Sequence, residues 1–389
     1  KARLYVGKGC AGEEVLAALN SQGVTVDEYS KDCLLKVFDK EDGINKTAVM
    51  EYGRMSRAVY DRLKELGIKC VDMKNPSTLM KAVKNETELE CAKAALLRDS
   101  VVVTKFMHML KGQAEKTAPG ELILDENGSV MSELSADEWL TGLREKDPEF
   151  IELSFATIAA YGANAAMMHY QAKPESYSEL RAKGMLLVDS GVQNNDGTTD
   201  ITRTFVLGEL TEEEKKAFTL TAVSMLRLMN TVFIEGCTGE NLDVMAREPM
   251  WKEGWDYKCG TGHGVGHVLS VHEGPHRLKY QLLSSGATAK MVPGMIVTDE
   301  PGVYREGKFG IRTENELIVR KWGETEDGRF FCFEPMHFIP IDLDGIDKKY
   351  MNDEDIRYLN EYHKAIYEKL SPLLPADMLD WFKEYTREI

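Results

Sequence analysis

Long apolar runs are missing from this sequence. No stretch approaches the roughly 18 residues that span a bilayer, which removes a membrane partner from consideration. Basic excess is missing too: 64 acidic side chains stand against 48 basic ones, a formal net charge of −16. Such a surface repels phosphate backbones, and no basic patch offsets it, so nucleic acid is excluded as a partner. Cys-x-x-Cys spacing is absent. Cys10, Cys33, Cys70, Cys91, Cys237, Cys259 and Cys332 are scattered and odd in number, which argues against a disulfide scaffold or zinc ribbon and fits reduced thiols in a cytoplasmic protein. No repeat, low-complexity tract or charged-then-apolar leader is present, and a start at Lys1 rather than Met reads as a cut end.

What is there suits a globular protein: 389 residues, 43% apolar, enough for one large domain or two unequal ones. Residues 1–74 read as a small α/β domain. Short apolar runs (Leu4-Tyr5-Val6, Val24-Thr25-Val26, Cys70-Val71) alternate with helical stretches, notably Lys46 to Leu66. Lys74-Asn75-Pro76-Ser77-Thr78 reads as a linker, since the residue before proline avoids helix. A long helix is expected from Glu86 to Leu110, with Asn85 as N-cap, Glu88 completing the cap and Gly112 as the stop. Beyond it, β-type runs at 185–188, 201–207, 295–298 and 311–319 mix with helices near 213–233, 241–249, 353–369 and 376–387. Strands and helices without a regular βαβ rhythm predict an α+β catalytic domain over 75–389.

The chemistry is concentrated between residues 185 and 315. In MLLVDSGVQNNDGTTDITRTF, Asp189 ends an apolar strand, and an aspartate there is costly to bury unless paired or metal-bound. A hairpin turning at Asn194-Asn195 would set Asp189 directly opposite Asp200. A turn at Asp196-Gly197, the stronger local signal, would pair Asp200 with Gln193 and need bulges to reunite the aspartates. The segment GTGHGVGHVLSVHEGPH gathers His263, His267, His272 and His276, half of the eight histidines, and glycines flank His263 so that its backbone can approach a ligand closely. In VTDEPGVYREGKFGIRTENELIV, a three-residue loop at Glu306-Gly307-Lys308 would set Glu300 opposite Glu314. Four carboxylates and one imidazole suit divalent manganese, with zinc or cobalt as alternatives. Their charge nearly balances two divalent ions sharing a hydroxide.

At Asp189, Asp200, His263, Glu300 and Glu314, taken in order with the 11-residue aspartate spacing and the DITRTF and TDEPG contexts, the chain resembles the pita-bread metallopeptidases. Within that group it is most similar to the larger, cytosolic-type aminopeptidase P branch. MMHYQAKPES brings in His169, SVHEGP brings in His272, and the tail at about 333–389 resembles the C-terminal extension of that branch. The branch usually has three domains, so the resemblance implies that 1–74 is the second and that a first is missing. Cys259 departs from the pattern, standing where a second histidine often precedes the metal histidine; His267 is a candidate to compensate.

The resemblance implies a Xaa-Pro aminopeptidase acting through a hydroxide activated by two metals. Asp200 and Glu314 would bridge the ions, Asp189 would hold one, and His263 with Glu300 the other. Glu300 would move the proton, and His272 and His169 would contact the substrate and steady the oxyanion. Arg312 would orient Glu314, and Tyr304 the substrate. It also implies peptides with proline second as substrates and a homodimer. The rival readings are a prolidase confined to dipeptides and a non-catalytic binding protein on the same fold.

Overall fold

Strand Arg3–Val6 (β1) lies parallel to Thr25–Glu28 (β2), with helix Glu13–Ser21 (α1) crossing between them. Thr47–Met50 (β3) and Lys69–Asp72 (β4) repeat the arrangement around helix Arg57–Glu65 (α2), whose Val59 and Leu63 pack with Met50 and Ile68. The stretch expected to be helical from Lys46 to Leu66 is thus strand at Thr47–Met50 and helix from Arg57 to Glu65. Thr47 and Val49 are β-branched, and the parallel partner supplying their ladder is 22 residues away, as in Thr47 with Lys69. The computed structural model describes residues 2–30, 32–33, 35, 46–281 and 289–389. The chain divides into two compact units, Lys1–Thr78 and Leu79–Ile389.

The expected linker is helical from Pro76 to Ala82 (α3). Asn75 stays outside it, its side chain accepting from the Ser77 N–H at 3.1 Å, and Pro76 starts the helix where no N–H is needed. Helix Glu86–Lys116 (α4) opens with the expected reciprocal cap between Asn85 and Glu88. It does not stop at Gly112. Leu110 and Ala114 on the following turn are buried, and Lys111 is tied to Asp342 at 2.9 Å, so packing carries the helix past the glycine.

In the second unit, helix Glu133–Arg144 (α5) precedes strands Phe150–Leu153 (β5), Ile158–Tyr161 (β6), Met185–Ser190 (β7), Val192–Asn194 (β8), Gly197–Thr198 (β9) and Ile201–Val206 (β10). Helix Glu212–Met229 (α6), strand Val232–Ile234 (β11) and helix Gly239–Lys252 (α7) follow. The helix expected to reach residue 233 stops short and gives way to β11. Then come Gly262–His263 (β12), Arg277–Leu278 (β13), Ile296–Asp299 (β14), Gly302–Arg305 (β15), Phe309–Arg312 (β16), Asn315–Thr325 (β17), Gly328–Pro335 (β18), and helices Asp353–Leu370 (α8) and Leu379–Tyr385 (α9).

Strand alternation builds the layers. In the sheet ordered β11-β18-β17-β14, Leu317 and Val319 face a core with α6, α7 and α8, while Ile318 turns to Leu89, Ala92 and Leu96 of α4. In the sheet β10-β7-β6, Leu186, Val188 and Phe205 pack on α4 and α5, which leaves Leu187 and Asp189 on the opposite face. Both sheets therefore lean on one long helix, and Asp189 lies on the sheet face turned away from it. Among the described residues no helix is long and apolar enough to cross a membrane.

Candidate metal and peptide site

The first hairpin takes neither of the two expected registers. Asn194 pairs with Gly197, so the chain turns at Asn195-Asp196, and Asp189 stands opposite Thr202. A distant contact decides this: Arg98 of α4 grips Asp196 through two bonds of 2.7 and 2.9 Å. Gly197, expected in the turn, instead lies against α4, where an added β-carbon would come within 3.0 Å of the Ala95 side chain. Asp200 lies two positions before Thr202 and so shares a face with Asp189. Between them the strands cross at Gly191, where a β-carbon would meet the Thr199 carbonyl oxygen at 1.9 Å.

The second hairpin forms as expected. Arg305 pairs with Phe309 across Glu306-Gly307-Lys308, with Gly307 at φ +70°. The ladder ending at Gly302–Arg312 resumes at Asp299–Asn315 in the same register, and Glu300 and Glu314 occupy the gap. Their backbones are pinned from elsewhere: Glu300 N–H donates to the Thr261 carbonyl at 2.7 Å, and Glu314 N–H to the Thr202 carbonyl at 3.1 Å.

His263 is brought between the hairpins by glycine. A β-carbon at Gly262 would strike the Thr298 carbonyl oxygen at 1.8 Å, and one at Gly264 the Glu273 carbonyl oxygen at 2.1 Å. With Nδ1 3.0 Å from the Gly264 carbonyl oxygen, the ring carries its proton there, and Nε2 is left as a lone-pair donor. That Nε2 lies 3.3 Å from Asp200 and 3.4 Å from Glu300. One donor atom each of Asp200, His263 and Glu314 falls within 4.8 Å of the others.

Asp189 joins through Arg312, whose Nη2 donates to Oδ2, while its Nη1 donates to the Tyr304 hydroxyl at 2.6 Å and its Nε to Thr202 Oγ1 at 3.1 Å. Thr202 in turn donates to Glu314 Oε2 at 2.8 Å. These bonds fix one oxygen of Asp189 and one of Glu314. The other two, Asp189 Oδ1 and Glu314 Oε1, are buried without a partner among the described residues. Burial first, then the neighbouring carboxylates, push Asp200 and Glu314 well above the usual carboxylate range, and burial raises Glu300. Four crowded carboxylates beside one guanidinium, with unpaired oxygens turned inward, are in surplus of negative charge. Such a donor set fits divalent cations.

An open cleft of about 630 Å³ reaches Asp189, Asp200, His263 and Glu300, and His169, His272, Tyr304, Arg312 and Cys259 also line it. The His272 ring meets His263 edge-on at 4.2 Å, and burial with its neighbours His263 and His169 lowers its pKa. Burial and the nearby Glu300 push the Cys259 thiol up to about 11, so it presents a neutral S–H. His267 does not line the cleft and does not stand in for the absent histidine; its charged neighbours are Glu88, Lys84 and Asp196. His276 is structural, bonded through Nε2 to the Ile296 carbonyl at 2.6 Å.

Sequence reasoning passed over Thr202, Arg203 and Glu316. Thr202 follows Asp200 by two and was recoverable from strand alternation. Arg203 donates to the Glu314 carbonyl and the Asn315 side chain, and Glu316 accepts the Asp200 N–H at 2.8 Å; no local pattern marks either. The apolar wall of Phe155, Ile158 and Met168 was equally hidden, because no motif in that stretch marks these apolar residues as lining a cleft.

Residues 90–321 match metallopeptidase family M24, and residues 329–389 match the C-terminal region of that peptidase family. The chain belongs to metallopeptidase family M24. It is 38% identical to a probable Xaa-Pro aminopeptidase P of Sclerotinia sclerotiorum, over 97% of this chain and 62% of that protein. It is 34% identical to aminopeptidase P1 of Arabidopsis thaliana, over 99% of this chain and 65% of that one. The X-prolyl aminopeptidase of Caenorhabditis elegans, a cytosolic enzyme with a dinuclear active site, superposes with a TM-score of 0.85 at 27% identity, over 100% of this chain and 62% of that one. A prolidase from Pyrococcus furiosus shares the fold at a TM-score of 0.61 and 21% identity. The α+β pita-bread architecture is thereby established. The chain spans less than two thirds of the length of these aminopeptidase relatives.

Proposed function

We propose that this chain carries the active site of a Xaa-Pro aminopeptidase holding two divalent ions, with manganese the first choice for an oxygen-rich donor set. The convergence of Asp200, His263 and Glu314 donor atoms within 4.8 Å, beside unpaired oxygens of Asp189 and Glu314, carries the reading. Asp189, Asp200, His263, Glu300 and Glu314 would hold the ions. When bound, the ions make hydroxide available near neutral pH and neutralise the surplus carboxylate charge.

The protein's own groups do the rest. Glu300 accepts a proton and passes it to the leaving proline nitrogen. His272 and His169 hydrogen-bond the substrate carbonyl as negative charge develops on it. Arg312 holds Asp189 and, through Thr202, Glu314, while its contact with the Tyr304 hydroxyl positions the phenol on the substrate side. Proline at the second position gives a tertiary amide without an N–H. Phe155, Ile158 and Met168 offer the ring an apolar wall that asks for no donor. A cytoplasmic homodimer is part of the proposal, by analogy with the family.

Protein stripped with chelator and reloaded with manganese is expected to release arginine from Arg-Pro-Pro and to leave Arg-Ala-Ala uncut. Cleavage confined to dipeptides such as Gly-Pro would make it a prolidase. Silence under every divalent metal would make it a binding protein.

A further inference from the structure

Two cations on the cleft wall are not used by this chemistry. Arg277 and Lys279 line the same cleft as the metal-site carboxylates. Arg277 stands directly opposite His263 in the β12–β13 pair, so the two side chains leave the same face with α-carbons about 4.5–5.5 Å apart. Lys279 follows two residues on, and a β-carbon placed at Gly260 would lie 4.0 Å from its own. Among the described residues neither cation has a carboxylate partner within ion-pair distance. In this chain of net charge −16, Lys84, Arg98, Lys111 and Arg144 are paired with acids. The buried Arg203, without a carboxylate partner among the described residues, is bonded instead to carbonyls, Asn315 and Tyr362. The Arg277 guanidinium makes one long bond, Nη2 to the Gln281 carbonyl at 3.3 Å, and its Nε is buried with no acceptor among the described residues. A buried donor without a partner costs free energy unless something supplies an acceptor.

We propose that Arg277 and Lys279 select substrates bearing a carboxylate just downstream of the proline. The inference rests on the aminopeptidase reading, which places the scissile carbonyl beside His263. Arg277 flanks that histidine, and Lys279 lies about 7 Å farther along an extended strand, about two residues of extended peptide. A peptide leaving the metal site along this wall brings its third residue to Arg277 and its next residues to Lys279. The forked guanidinium matches a carboxylate in two parallel bonds. That carboxylate is either an aspartate or glutamate side chain or the free end of a tripeptide. The cleft would then favour acidic or very short Xaa-Pro peptides over neutral or basic ones.

A panel of peptides tests this and separates the two sources. Ala-Pro-Glu-Ala amide is expected to exceed Ala-Pro-Gln-Ala amide in kcat/KM by about tenfold, carried mainly in KM, with the ratio shrinking as salt rises. Ala-Pro-Ala as the free acid against its amide reads the chain end separately. Arg277→Gln is expected to bring these ratios close to one while leaving turnover of the neutral amide within about twofold, and Lys279→Gln to lower them partway. Ratios near one in the unaltered enzyme, with the neutral peptide still cut, would overturn the inference and leave the peptidase reading intact. Calorimetry with the same peptides carrying a reduced first bond gives the preference as a ratio of Kd values without turnover. Equal Kd values there would overturn the inference on their own. A tenfold ratio would sustain it even in a protein that cuts nothing.

Discussion

The carboxylates around Asp200 and the buried Asp99, Asp342 and Asp243 beside Arg144, Lys111 and Arg247 lie deep in the second unit but are neutralised in different ways. Asp99 meets Arg144 in two bonds of 2.8 and 3.0 Å, and its second oxygen also accepts from Thr199. Lys111 is shared by Asp342, Asp344 and the Val206 carbonyl, and Arg247 by Asp243, Asp256 and two carbonyls. In each the cation is bonded to its acids directly. Around Asp200, four acids share Arg312, and Asp189 Oδ1 and Glu314 Oε1 have no partner among the described residues. At Arg144, Lys111 and Arg247 buried charge is matched by acids of the fold itself. The surplus of acids around Asp200 is what the proposed ions would neutralise.

That contrast predicts opposite behaviour on mutation. Glu314→Ala or Asp200→Ala is expected to cut kcat/KM by about 10³-fold or more and to lower bound metal in elemental analysis. Without metal, the same variants should melt no lower than the parent, since each removes a repelling carboxylate. A lower melting temperature in the metal-free state would break the comparison. Asp99→Ala should do the reverse: it strands Arg144 in the core, costing about 3–5 kcal/mol in denaturant unfolding, with metal content per folded molecule unchanged. Replacing both partners, Asp99→Leu with Arg144→Met, should recover most of that loss, because an apolar pair of similar volume needs no compensation.

Thr202 joins the two regimes, being part of the fold's hydrogen bonding yet bonded to a proposed metal ligand. Thr202→Val keeps the shape and removes the hydroxyl between Arg312 and Glu314. Metal affinity is expected to weaken about 10–100-fold, read by competition with a chelator, while stability moves by about 1 kcal/mol. Unchanged affinity would show that Glu314 needs no help from Arg312.

The proposed donor residues were named in sequence from different signals: Asp189 ends an apolar strand, glycines flank His263, and Glu300 and Glu314 face each other across a three-residue loop. The second hairpin was legible too, since its loop and glycine determine its register locally. The first was not: Arg98 sets it from nearly a hundred residues upstream through Asp196. Gly112 failed as a helix stop, and the first part of Lys46–Leu66, at Thr47–Met50, failed as helix, for the same reason. Packing of Leu110 and Ala114 in one case and pairing with Lys69–Asp72 in the other outweighed local propensity. The cleft wall, built from residues near 155, 168 and 277, has no local signature at all.

The smallest expected effect concerns a buried group that is kept neutral instead of being paired. His363 is fully buried, and its Nε2 accepts the Ile341 N–H at 3.1 Å, so a proton on that nitrogen would set two donors against each other. Burial, with Arg203 adding to it, lowers its pKa to about 3, and burial lowers that of His276 to about 4. An unfolded histidine titrates near 6.5. Below that pH the unfolded chain binds a proton that the native one refuses, so each group lowers stability as pH falls. The loss for His363 continues from about 6.5 to about 3 at about 1.4 kcal/mol per pH unit, and it vanishes above 6.5. In denaturant unfolding of the metal-free protein between pH 7 and 5, His363→Gln should show a shallower pH slope than the parent by about that amount, whatever its absolute stability. Parallel slopes would mean that His363 takes up its proton without unfolding and that neutrality at this site is not enforced by the fold.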